Sequence, residues 1–161
     1  MKKNIYTLTL NPSVDYSFYV PTIKFDDINR IIYQRVDPGG KGNNISRMLK
    51  NLGDSPVPIT FLTKGKNVYK NLLEKEEVRP VYIEIKEKIR NVYNFISEDG
   101  EILRFNEKGP KIYKKEKESL FKTIENLNFK KGDIFAISGS LPDGFEKDTY
   151  KKIVEKIKKF D

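Results

Sequence analysis

The run Pro38-Gly39-Gly40-Lys41-Gly42-Asn43-Asn44 constrains the fold more than any other stretch. It stands directly before a helix-periodic segment and sets one cation among three glycines. Glycines lack the Cβ atoms that block close approach and reach φ > 0, and a following helix offers unpaired N–H groups and the positive end of its dipole. Ile45, Met48, Leu49 and Leu52 fall at i, i+3, i+4 and i+7, which predicts a helix from near Asn44 with Gly53 as its stop. Taken alone, the run reads equally well as an anion cradle and as a tight turn.

The elements around it alternate. Ile5–Leu10 and Val57–Leu62 read as buried strands, 67–76 as a helix and Val81–Ile85 as a further strand, a right-handed β-α-β rhythm. The rhythm then breaks. Arg90–Ser97 and Glu101–Phe105 flank Glu98-Asp99-Gly100, a hairpin signature, and Tyr16–Val20 and Ile31–Val36 add two strands with no helix between them. Four strands without crossover helices predict a small sheet, over about 16–36 and 90–106, set apart from the main one. Leu120, Phe121, Ile124 and Leu127 then mark a helix, Ile134–Ser138 a strand, and Tyr150, Ile153, Val154 and Ile157 a last helix. No linker or repeat divides the chain, so one α/β domain is expected for 161 residues.

Composition removes whole classes of function. With no cysteine and no histidine the chain has no disulfide framework, no thiolate nucleophile and no imidazole base or metal ligand, which excludes zinc fingers and Ser-His-Asp or Cys-His enzymes. No apolar run approaches a membrane span and the N-terminus does not read as a signal peptide, so a soluble, cytoplasmic protein without a membrane partner is expected. The net charge of +8, from 31 Lys+Arg against 23 Asp+Glu, leaves nucleic acid as a rival partner. Most lysines are interleaved with glutamates on helix-periodic tracts such as Lys114-Lys115-Glu116-Lys117-Glu118, the pattern of solvated faces, and no nucleic-acid partner is expected.

Three further segments carry potential chemistry. Asp15 lies just past the first strand, where open α/β sheets bind ligands, although a turn aspartate fits the position as well. Ser138-Gly139-Ser140-Leu141-Pro142 follows another strand and so falls at the same sheet edge. Arg90 opens the hairpin and has the fork geometry for a phosphate, against the plainer reading of an exposed arginine.

Thr7-Leu8-Thr9-Leu10-Asn11-Pro12-Ser13-Val14-Asp15, Asn29-Arg30, Gly39-Gly40-Lys41-Gly42-Asn43-Asn44-Ile45-Ser46-Arg47, Arg90, Gly109-Pro110 and Ser138-Gly139-Ser140-Leu141-Pro142 together resemble the ribokinase-like sugar kinases of the phosphofructokinase B branch. Within it the likeness is to the 1-phosphofructokinases, with tagatose-6-phosphate kinases next. The resemblance implies a three-layer α/β sandwich, present here as its N-terminal half, bearing a small β-sheet lid. It also implies phosphoryl transfer from ATP, with Mg²⁺, to a sugar phosphate, fructose 1-phosphate foremost, and a homodimer through the lid. Carried over by position, Asp15 would bind sugar hydroxyls, and Gly39, Gly40, Lys41 and Asn44 would meet the sugar and its phosphate. Arg30 and Arg90 match phosphate positions, and Ser138 and Ser140 a strand end near the substrate.

The departures matter as much. Leu62-Thr63-Lys64-Gly65-Lys66-Asn67 is shorter than the family's glycine-rich turn, and Val92 stands where an asparagine is expected two residues after Arg90. No Gly-Ala-Gly-Asp occurs in the 161 residues, so no catalytic base and no metal ligand is assigned. The chain alone is expected to be inactive and to hold neither ATP nor Mg²⁺ tightly. A non-catalytic sugar-phosphate-binding remnant would share every matching residue.

Overall fold

The structure, a computed structural model, describes residues 3–65 and 67–158. In chain order it contains β1 (Ile5–Thr9), β2 (Ser13–Val20), β3 (Tyr33–Gly39), α1 (Lys41–Asn51), β4 (Val57–Thr63), α2 (Val68–Lys75), β5 (Val81–Ile85), β6 (Arg90–Ser97), β7 (Ile102–Asn106), α3 (Lys114–Glu125), β8 (Ile134–Ile137) and α4 (Thr149–Ile157). One four-stranded sheet has the order β5-β4-β1-β8 with every pair parallel. The other has the order β3-β2-β6-β7, with a parallel central pair and antiparallel outer pairs.

β1 and β4 are buried almost throughout, as parallel strands covered on both faces must be. The two faces differ in chemistry because side chains alternate along a strand. Thr7, Thr9 and Thr60 face α1: the Thr7 and Ser46 hydroxyls lie 2.7 Å apart, and the Asn43 backbone N–H donates to Thr9 Oγ1 at 2.8 Å. A Cβ on Gly42 would sit 2.4 Å from the Leu8 carbonyl oxygen, so α1 lies with its backbone directly on β1. On the opposite face Tyr6 meets Phe129 with ring centroids 4.6 Å apart, Phe61 stacks on Phe145, and the fully buried Leu120, Ile124 and Ile153 of α3 and α4 complete the core. Helices on both faces of a parallel sheet make the three-layer, ribokinase-like α/β sandwich.

The helix read from the apolar spacing of Ile45 to Leu52 is present, but it starts at Lys41 and not near Asn44. Its buried residues are Gly42, Asn43 and Ser46, while Met48 and Leu52 are 60% and 73% exposed. Close approach to β1 admits only small side chains, so the small, polar face turns inward.

The second sheet grows from the carboxyl edge of the first. Leu10-Asn11-Pro12 turns β1 into β2, a short connection leads from β5 into β6, and β3 runs directly into α1. Register places Ser13 between Gly39 and Arg90 at the base of this lid and Asp15 between Asp37 and Val92 one pleat further out. β2 starts at Ser13 and β3 ends at Gly39, so both strands reach the junction itself. Above it the sheet is knit by paired rings, Tyr16 on Tyr93 at 5.4 Å and Phe18 on Phe95 at 5.2 Å. The 21–32 connection at the far end is largely exposed, Phe25 at 82%.

Candidate functional site

A cleft of about 470 Å³ lies where the lid meets the carboxyl ends of β1 and β8. Its floor is Thr9, Asn11, Gly40, Lys41, Asn44, Ser138, Gly139 and Ser140; its lid side is Ser13, Asp15, Arg90, Val92, Asn94, Arg104 and Asn106. Ligands of open α/β sheets bind at this edge.

Asp15 is fixed by the Ser13 hydroxyl, which donates to its Oδ1 at 2.6 Å. Burial pushes the Asp15 carboxyl above its ordinary value; the Ser13 hydrogen bond and the charges of Arg90 and Arg47 oppose the rise, and Asp37 adds to it. Asp37 stands directly opposite Asp15 across β2 and β3, a like-charge pairing that costs stability unless neutralised. Two arginines supply the neutralisation: Arg35 Nε donates to Asp37 Oδ2 at 2.6 Å and Arg47 Nη2 lies 3.6 Å from its other oxygen. Arg47 also forks onto Glu76 at the end of α2, tying β3 to both helices.

The glycine run has a steric explanation that needs no ligand. A Cβ on Gly39 would lie 2.3 Å from Asp15 Oδ1 and one on Gly40 2.5 Å from the Thr9 methyl, and Gly40 has φ +107°, a left-handed value that favours glycine. Gly109 is demanded in the same way by the Asn11 side chain, 2.5 Å from where its Cβ would be. Asn11 in turn donates to Ser140 Oγ at 3.0 Å, and the Tyr150 hydroxyl donates to the Gly139 carbonyl at 3.0 Å, which holds the 138–140 turn against β1 and α4.

Of the residues picked out from sequence, Asp15, Gly40, Lys41, Asn44, Arg90, Ser138 and Ser140 all line the cleft. Gly39 sits beneath Asp15 and Ser13 as packing. Arg30 is exposed on the 21–32 connection and does not line the cleft. β2 carries the chain away from Ser13 at about 3.3 Å per residue, so that connection begins roughly 20 Å from the cleft floor. Lys41 is exposed and has no ion pair among the described residues, and Arg90 Nε is buried without a hydrogen-bond partner among them. Cations at the cleft are thus left with donor capacity.

Asn94, Arg104 and Asn106 were not singled out from sequence. Their signal was present in the hairpin: positions 92 and 94 share a face with Arg90, and pairing about Asp99-Gly100 sets Asn94 against Arg104 and Val92 against Asn106. Val92 itself faces the cleft. Asn91 instead donates to Glu107 and Tyr93, so the register at Arg90 has not slipped. The short 62–67 segment, with Lys66 outside the described residues, leads from β4 to Asn67, whose side chain caps α2 by accepting from the Tyr69 N–H at 3.0 Å.

Residues 8–160 match the family described as pfkB family carbohydrate kinase. The chain belongs to that family. Among solved structures, Escherichia coli phosphofructokinase-2 in complex with fructose-6-phosphate is 30% identical with a TM-score of 0.88, over 99% of this chain and 52% of its own. A Thermotoga maritima protein described as a possible 1-phosphofructokinase gives 23% and 0.87, covering 96% and 50%, and T. maritima ribokinase gives 18% and 0.54, covering 66% and 36%. The last two speak for the fold alone. The chain spans about half the length of the phosphofructokinase structures it matches.

The family's description names carbohydrate kinases. No helix among the described residues is long and apolar enough to cross a membrane.

Proposed function

We propose that the cleft binds the acceptor of a sugar-phosphate kinase, a phosphorylated ketohexose. The observation that carries this reading is one cleft holding a carboxylate, Asp15, together with three cations, Arg90, Arg104 and Lys41. An ionised carboxylate accepts hydrogen bonds from sugar hydroxyls, and guanidinium forks match phosphate oxygens in pairs. Fructose 1-phosphate is the acceptor favoured by the family likeness of the Asn11 to Asp15 motif, and of Asn29-Arg30, although the latter pair lies away from the cleft. Fructose 6-phosphate is the second reading, supported by its presence in the E. coli relative, and tagatose 6-phosphate remains in the panel.

The same reading gives this chain acceptor binding without phosphoryl transfer. A general base contributes on the order of 10²–10⁴-fold and each donor to the developing charge on the order of 10²–10³-fold, and the sequence lacks the Gly-Ala-Gly-Asp segment that would supply both. The chemistry would use ATP and Mg²⁺. No cluster of acidic residues suited to a metal occurs among the described residues, so no step is assigned to either. A second copy of the chain is the partner proposed for the lid, whose outer residues Phe25, Ile28, Ile31, Ile32, Tyr33, Ile102 and Phe105 are all exposed. A cytoplasmic location goes with that chemistry.

Calorimetric titration of the chain with the three sugar phosphates tests the reading. Binding of at least one, weakened about tenfold or more by Asp15→Ala and by Arg104→Ala, with no ATP-dependent turnover, is the expected result. Equal affinity in both variants removes the site assignment, and turnover by the chain alone removes the division of labour.

A further inference from the structure

Beneath the glycine turn lies a closed polar network that the acceptor reading leaves unused. Tyr69, on the first turn of α2, is fully buried, and its hydroxyl meets the Asn43 side-chain amide, the Thr60 hydroxyl and, at 3.0 Å, the Gly39 carbonyl. The Asn43 Nδ2 group also reaches Thr60 Oγ1 at 3.3 Å, and Thr60 Oγ1 donates to the Thr9 carbonyl at 3.2 Å.

Proton counting gives the network a direction. Asn43 Nδ2 carries two hydrogens, directed at Tyr69 and Thr60, so Tyr69 accepts from Asn43 and its single proton goes to Gly39. Burial raises the Tyr69 pKa far above its ordinary value, which keeps that proton in place. The arrangement leaves Asn43 Oδ1 buried without a partner. A flipped amide would turn that oxygen toward the Tyr69 hydroxyl, compete for its proton and draw it from Gly39. The orphaned oxygen is therefore the counterpart of keeping Tyr69 as a donor to the turn.

The peptide so held lies where β3, still paired with Ser13 at Gly39, passes into α1. Gly39 and Gly40 have no side chains to limit rotation, and no side-chain cap fixes Gly40 at the start of α1. In a planar trans peptide the carbonyl and the following N–H point in opposite directions. Holding the Gly39 oxygen toward α2 turns the Gly40 N–H away from it, and sets the direction in which the chain enters Lys41 and Asn44. Tyr69 is itself placed by Asn67, which accepts from the Tyr69 N–H and donates to the Thr63 carbonyl at 3.0 Å.

We propose that Tyr69 is the positioning residue of the acceptor site: its hydroxyl orients the Gly39–Gly40 peptide and so presents Lys41 and Asn44 to the ligand from behind the cleft. The functional half of this inference rests on the sugar-phosphate reading. The conformational half does not.

The test is Tyr69→Phe, with Leu73→Ala on the same buried face of α2 as a control for lost packing. Two-dimensional NMR of the chain follows the Gly40 and Lys41 amides, and titration with fructose 1-phosphate, fructose 6-phosphate and tagatose 6-phosphate follows affinity. Tyr69→Phe is expected to shift both amides, speed Gly40 exchange and weaken sugar-phosphate binding about tenfold, whereas Leu73→Ala lowers stability and leaves amides and affinity near wild type. Unmoved amides, or an affinity within twofold of wild type, overturn the proposal. If the wild-type chain binds none of the three sugar phosphates, the acceptor reading fails and the amides alone decide the role of Tyr69. Should Tyr69→Phe not fold, the wild-type spectrum decides: a slowly exchanging Tyr69 hydroxyl proton close to the Asn43 side-chain amide supports the network, and a freely exchanging one overturns it.

Discussion

The parallel sheet and the lid are both four-stranded, yet different contacts hold them. β1 and β4 are sealed between helix layers, with Leu8, Ile59 and Phe61 fully buried. Among the described residues the lid has no second layer along most of its length; Val14, Val20, Ser17 and Ser97 are among its few buried residues, and stacked rings from neighbouring strands provide much of its apolar contact. The stable sheet supplies fixed strand ends, and the thin one supplies reach over them. Functional groups collect at the seam because only there are side chains from both sheets within range of one ligand.

Phe61→Ala should break the comparison most visibly. It removes a fully buried ring at a cost of about 3–5 kcal/mol, read as a lower midpoint in urea. Phe105→Ala on the lid, half-exposed, should cost far less; equal losses would mean that the two sheets unfold by a common layer of contacts.

Gly42→Ala follows in size. Helix propensity alone favours alanine by about 1 kcal/mol, but the added Cβ would lie 2.4 Å from Leu8 O and 2.6 Å from Thr9 Oγ1. Overpacking of this kind costs about 1–3 kcal/mol, so net destabilisation is expected, and a gain in thermal midpoint would refute the backbone-on-strand packing.

Asp15→Asn sharpens the seam. Because folding raises the Asp15 pKa, the carboxyl favours the native state fully only below its unfolded value and loses that contribution as pH rises through the folded one. The amide variant should therefore be more stable than wild type near pH 7, with the difference vanishing on acidification to about pH 3, while sugar-phosphate binding falls. Denaturation at the two pH values checks the sign.

The smallest effect belongs to the lid's outer face. Phe25→Ser, at an 82% exposed position, should alter monomer stability by under about 0.5 kcal/mol and reduce self-association in sedimentation runs. A large loss of stability would show that the 21–32 connection packs more tightly than its exposure indicates.

Legibility in sequence divided along the same seam. The strands of the parallel sheet announced themselves because burial on both faces leaves continuous apolar runs, and the Asp99-Gly100 hairpin because its turn needs special chemistry. Helix α1 was found by a periodicity that does not mark its core face: the inward residues Gly42, Asn43 and Ser46 carry no hydrophobic signal. Pairing of β2 with β6 joins residues more than seventy positions apart, which no local pattern encodes. Seven of the fifteen cleft residues could be named early, from motifs that fall at the sheet edge, as at Asp15, Gly40 and Ser138. Arg104 and Asn106 became visible only once hairpin register was known, and nothing local to the 67–76 helix marks Tyr69 as a partner of the distant Gly39 carbonyl.

β8 has one further consequence, for behaviour at high concentration. Among the described residues it pairs only with β1, and Ile134 is half-exposed at its start. An edge of this kind is a template for foreign strands. Here it is four residues long, preceded by Lys130 and Lys131 and followed by Pro142, charges and a ring that gate runaway stacking. A short edge flanked in this way resists open-ended strand addition when the chain is concentrated.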